Sequence, residues 1–221
     1  MTDTMELAKR GGLFGAVAYV VGYLLTLVLY SMDDNLGTEI FGGSEISSAT
    51  GAGWVYYNAH LSDLTLRFRS SAESITGSIN LLIDREMVFS GSEFVPSLSW
   101  GGTSLPEPLF FLVPVTVLAG AGYGLVQRTP VPSARAAAKL GGSVVAGYLP
   151  IAVLGAVLFT DTSSGSGIGA STVLEPDLAT ALVFAGLLWP LLFGAIGGYL
   201  WFKLHGTASP RPTRRRPSRG R

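Results

Sequence analysis

Cysteine is absent from the 221 residues, so no disulfide can staple an exposed part and no thiol chemistry is available. No Asn-x-Ser/Thr sequon occurs. Histidine is limited to His60 and His205, and three lysines stand against twelve arginines. No Gly-x-Ser-x-Gly elbow or comparable nucleophile signature is present. Nor is there the ligand spacing of a known zinc or calcium loop. Disulfide scaffolds, thiol enzymes and common metal modules drop out on these grounds, and no cofactor is expected.

The most consequential lack is local. Gly11–Tyr30, Leu109–Gln127, Leu140–Thr160 and Leu178–Phe202 contain no Asp, Glu, Lys, Arg or His. About 20 helical residues rise roughly 30 Å, the thickness of a bilayer's hydrocarbon core. A backbone in lipid must satisfy its own hydrogen bonds, so these windows are expected to be helices. At 48% hydrophobic and 14% charged, the chain is also too apolar for an ordinary soluble domain. The expected fold class is an all-α membrane protein with four transmembrane helices. With no ionisable side chain inside a span, a proton-coupled carrier is disfavoured. The phenols and hydroxyls there, Tyr19, Tyr23, Thr26, Thr116, Tyr123, Tyr148, Thr180 and Tyr199, suit interhelical hydrogen bonds and interfacial anchoring.

Charge, balanced overall, is badly mixed. Lys9 and Arg10 precede the first window, Arg128, Arg135 and Lys139 fill the 128–139 connection, and Lys203 with six arginines fills 203–221. The 31–108 and 161–177 connections hold Arg67, Arg69 and Arg85 against thirteen carboxylates. The positive-inside rule then puts both termini and the 128–139 loop in the cytoplasm, and 31–108 and 161–177 outside a cell membrane. A signal peptide over 1–30 is the rival reading, but no small-x-small cleavage site follows the apolar run. The arginine and carboxylate excess suits a high-salt host.

Within 31–108, Thr38–Gly53 reads as loop and Trp54–Leu61 as helix or strand. Leu64, Leu66 and Phe68 alternate with Thr65, Arg67 and Arg69, and Ile75–Ile83 alternates likewise, which suggests a β-hairpin with Met87–Phe89 as a third strand. Such a hairpin is marginal alone and needs helix ends or a partner beneath it. Gly11, Gly15 and Gly22 give the first span a small-residue face for close packing, and Pro114, Pro150 and Pro190 favour bends. Ala8-Lys9-Arg10-Gly11-Gly12 against Ala138-Lys139-Leu140-Gly141-Gly142, and the Pro-to-Gly-Tyr spacing shared by 114–123 and 190–199, suggest either a parallel two-hairpin repeat or apolar low complexity. The 203–221 tail reads as disordered, with Arg211, Arg214, Arg215 and Arg216 as lipid-headgroup contacts. Nucleic acid is not an expected partner, since no folded binding motif accompanies those arginines.

Gly51–Asp63 gathers the unusual residues. If helical, it places Tyr56, His60 and Asp63 at i, i+4 and i+7 on one face, where Asp63 could orient the ring as in a nucleophilic triad. A metal held by His60 and Asp63 is the other chemical reading. An aromatic cluster at a helix end is more often packing and docking, so Trp54, Tyr56, Tyr57, Asn58, His60 and Asp63 are taken as candidate partner or ligand contacts. No catalytic or metal residue is assigned.

Gly-Trp-Val-Tyr-Tyr-Asn-Ala-His (53–60), Gly-Tyr-Leu-Pro (147–150) and Pro-Leu-Leu-Phe-Gly-Ala-Ile-Gly-Gly (190–198) resemble an uncharacterised family of small haloarchaeal four-helix membrane proteins. In that family a Trp-x-x-Tyr-Asn-Ala-His segment stands in the outer loop, and some members are labelled transporters. The resemblance implies host and topology, with no activity to carry over. Two functions follow as expectations: a non-enzymatic scaffold or accessory protein docking a membrane or surface partner through the outer segment, or a small permease acting as a homo-oligomer.

Overall fold

The structure, a computed structural model, describes residues 2–36, 47–69, 74–84, 86–90, 98–99, 103–164 and 171–206. In chain order its elements are α1 (Thr2–Met32), α2 (Ser48–Asn58), β1 (Leu64–Arg69), β2 (Ser74–Ile79), β3 (Glu86–Ser90), β4 (Leu98–Ser99), α3 (Pro108–Gln127), α4 (Ala134–Gly142) and α5 (Val145–Leu158). There follow β5 (Asp161–Ser164), β6 (Ser171–Pro176), α6 (Leu178–Thr180), a π-helical stretch (Ala181–Leu188) and α7 (Trp189–His205). The lipid-contact arginines 211, 214, 215 and 216 lie outside the described residues.

Among the described residues, four helical runs are long and apolar enough to cross a membrane: Lys9–Met32, Pro108–Gln127, Ala134–Leu158 and Leu178–His205. Their outward faces are apolar too, with Leu13, Val17, Leu24 and Val28 of α1 between 49% and 65% exposed. A soluble helix shows a polar outer face; these are hydrophobic all round. The third run starts at Ala134, inside the segment expected to be loop, because Ser133 accepts from the Ala136 N–H at 3.2 Å and caps it. It breaks at Ser143–Val144, where Gly11 and Gly15 of α1 come so close that a Cβ on either would strike the Ser143 hydroxyl or the Val144 carbonyl. The expected small-residue face of the first span is therefore its seam with the third. In the fourth run Pro190 has no N–H to donate, and the wide π winding just before it leaves room for its ring.

The expected hairpin is β1–β2, registered from Leu64↔Ile79 to Arg69↔Ser74, and the expected third strand is β3. Ile83 is not part of it. Asn80 turns the chain by donating its N–H to Asp84 Oδ2 at 2.7 Å, while its Oδ1 accepts from Leu82 N–H at 3.1 Å. The 161–177 connection, read as loop, supplies two more strands. Among the described residues the order is β4-β3-β2-β1-β6-β5, antiparallel throughout. One sheet thus takes strands from both long connections and sits at a single end of the bundle. Arg128 lies over the Phe14 ring and Tyr123 meets His205 at the other end.

The apolar sheet face, Leu64, Leu66, Ile79 and Leu174, packs on Trp54 and Val55 of α2, Tyr30 of α1 and Phe110 of α3. Asp33, just past α1, ties this layer to the entry of α3. Its Oδ1 accepts from the N–H of Asn35 and Leu36, and its Oδ2 from that of Leu105 at 2.9 Å.

Candidate functional site

The expectation of a loop through Gly53 fails at Ser47, whose hydroxyl accepts from Thr50 N–H at 3.1 Å and starts α2. Its glycines lower helix propensity, but Gly51 lies under the Tyr30 ring and Gly53 under the Phe159 ring, where a Cβ has no room. Close packing therefore decides the conformation that composition left open. α2 is wedged between the sheet and the bundle, and Trp54, Tyr56, Tyr57, Asn58 and His60 are each no more than 1% exposed. The docking surface expected of these five is not on display.

Each aromatic of α2 bonds to a helix of the bundle. Trp54 Nε1–H donates to the Phe159 carbonyl at 2.6 Å, and Tyr57 OH donates to that of Ala152. Tyr19 of α1 then donates to the Tyr57 oxygen at 3.0 Å. Tyr23 OH donates to the Ala49 carbonyl at 3.0 Å.

His60 is the centre of a second chain of bonds. Its Nδ1 lies 2.7 Å from the Tyr56 carbonyl, an acceptor, so Nδ1 carries the proton. Its Nε2 lies 2.7 Å from the Tyr148 hydroxyl of α5, and Tyr148 is 2.6 Å from the Tyr56 hydroxyl. With a neutral ring, Tyr56 donates to Tyr148 and Tyr148 to Nε2, and every proton has an acceptor. A protonated ring would reverse the chain and leave the Tyr56 proton seeking another acceptor. The Trp189 ring closes the site at 5.4 Å, edge-on.

Asp63 does not join His60. α2 ends at Asn58, and Leu61 takes a left-handed φ of 60°, so the i, i+7 face never forms. The Asn58 side chain holds this reversal, donating to the Ser62 carbonyl at 2.8 Å and accepting from Leu81 N–H at 2.9 Å. The Asp63 carbonyl instead accepts from Asp177 N–H at 2.9 Å, and Ser62 meets Thr180 at 3.1 Å, fastening the turn to the fourth run. Among the described residues no group of three or more His, Asp or Glu converges as a metal site.

Tyr148 and Trp189 are the partners that reading Gly51–Asp63 alone could not find. The signal was the isolated phenols inside otherwise apolar spans, of which Tyr19, Tyr23 and Tyr148 hydrogen-bond to α2.

The cluster can hold a neutral proton chain and fix geometry. It offers no exposed nucleophile. Searches of curated proteins and of solved structures yield no match. A model for a family of unknown function, DUF7978, matches residues 2–204, and the chain belongs to that family.

Proposed function

We propose that the chain is a non-enzymatic multi-pass protein of the cell membrane, anchored by its four apolar runs, that docks a membrane or surface protein through its sheet. Both termini face the cytoplasm in this reading. The observation that carries it is the burial of the aromatic-histidine segment. That segment fastens the sheet to the bundle by hydrogen bonds to α1 and α5, so recognition falls to the outward sheet residues Arg69, Ser74 and Thr76. Charge supports the orientation, since Arg128, Arg135 and Lys139 lie toward the end away from the sheet.

The test is mild crosslinking in native membranes with the wild type and an Arg69→Glu, Thr76→Lys variant. A partner captured reproducibly by the wild type and lost in the variant is the expected result. No reproducible partner, or equal capture by both, sets the docking reading aside.

One observation favours the second reading, a homo-oligomeric permease: the π stretch of the fourth run sits beside the broken third run, and irregular winding often marks moving parts. Tyr19, Tyr56, Tyr148 and Trp189 fill the middle of the single bundle, so a pathway would run between copies. Solute flux in reconstituted vesicles is its test.

A further inference from the structure

The polar face of the sheet overhangs the bundle rather than open solvent alone. Beneath Thr65, Arg67 and Glu175 lies a hollow of about 650 Å³, floored by Ala156 and Val157 of α5 and by Leu178 and Leu182 of the fourth run. Its two halves differ sharply in chemistry. The floor runs directly into the apolar outer faces of the third and fourth runs, where Val157 is 61%, Leu178 52% and Leu182 41% exposed. The roof is charged: Arg67 Nη1 pairs with Glu175 Oε1 at 2.9 Å, its side chain still 60% exposed. A smaller hollow of about 360 Å³ continues from it, sharing Thr65 and Asp177 and adding Asp63, Ser78 and Thr180.

We propose that these joined hollows seat one phospholipid of the outer leaflet with an amine-bearing headgroup. The proposal rests on the membrane reading above. If the third and fourth runs span, the floor lies at their outer ends, the depth at which hydrocarbon gives way to headgroups. Acyl chains lie along Val157, Leu178 and Leu182, in continuity with the surrounding lipid. The phosphate meets Arg67, whose guanidinium carries five donors and which Glu175 occupies only in part. The ammonium meets Asp177 and Asp63, neither of which is paired with a cation among the described residues. A rim with one arginine and three carboxylates disfavours a purely anionic headgroup and fits one carrying both signs.

The experiment uses the full chain extracted in mild detergent, titrated with dioleoylphosphatidylethanolamine in mixed micelles and read by native mass spectrometry. The expected result is one retained lipid per chain, with retention at least tenfold weaker in Arg67→Gln and in Ala179→Trp, which fills the hollow from an exposed position. Unfolding temperatures of both variants check that they fold. Equal retention by wild type and both variants overturns the site, as does equal retention of dioleoylglycerol. Equal retention of dioleoylphosphatidylglycerol overturns the assignment of the amine. Alkaline carbonate extraction of the source membranes separates the two levels. A chain released into the aqueous phase overturns the membrane reading, whereas a chain held in the membrane without bound lipid overturns only the groove.

Discussion

His60 draws its partners from three parts of the chain: Tyr56 from the end of α2 just before it, Tyr148 from α5 and Trp189 from the fourth run. A buried neutral network of this kind is sensitive to deletion of one member, because the groups left behind keep their desolvation cost. Tyr148→Phe removes the donor to Nε2 and the acceptor of the Tyr56 proton together. With each stranded buried group costing about 1–3 kcal/mol, the expected loss is about 2 kcal/mol or more. Tyr199→Phe is the control, since Tyr199 is 42% exposed and surface changes stay within about 0.5 kcal/mol. Thermal unfolding in detergent, followed by tryptophan fluorescence, compares them. Equal midpoints for the two variants would show that the network contributes nothing to stability.

At the level of elements, α2 is a helix that packing imposes on a glycine-rich stretch. Propensity alone makes Gly51→Ala stabilising by about 1 kcal/mol. The Tyr30 ring occupies the place of the new Cβ, and overpacking costs about 1–3 kcal/mol, so the expected sign is destabilising. Gly120 of α3 has nothing within 4 Å of such a Cβ, and Gly120→Ala should stabilise by about 0.5–1 kcal/mol. The opposite signs, measured side by side, separate packing from propensity. The same contrast explains what could be read in advance. The four apolar runs and the β1–β2 alternation depend on local pattern, and pattern is visible in the residues. Pairing of β6 with β1 and the union of His60 with Tyr148 depend on residues about 90 to 110 positions apart, and placement of α2 depends on rings as near in sequence as Tyr30 and as far as Phe159. Nothing in Gly51–Gly53 announces a ring overhead, and nothing in Ser171–Pro176 names β1 as its neighbour. The conditional face of Tyr56, His60 and Asp63 fails for a smaller reason: α2 stops at Asn58 and a leucine with left-handed backbone breaks the helical spacing.

For the whole molecule, orientation is the property that everything else in the proposed function depends on. The lack of native cysteine makes it directly measurable. Ser74→Cys lies at the sheet and Pro132→Cys in the 128–133 connection, both at exposed positions. An impermeant maleimide should label the first in intact cells and the second only after permeabilisation; the reverse pattern would invert the topology. The shared sheet also sets a timetable. β1 pairs on one side with β2, close in sequence, and on the other with β6, whose Pro176 partners Leu64 from more than 100 residues away. At about 5–20 residues per second of synthesis, the β1 edge waits roughly 5–20 s for its second neighbour. During that wait it is an open strand edge, the kind of surface that invites pairing with another chain. Closing it requires the third run to be in place, so completion of the sheet comes late in biogenesis and seals the two halves of the chain together.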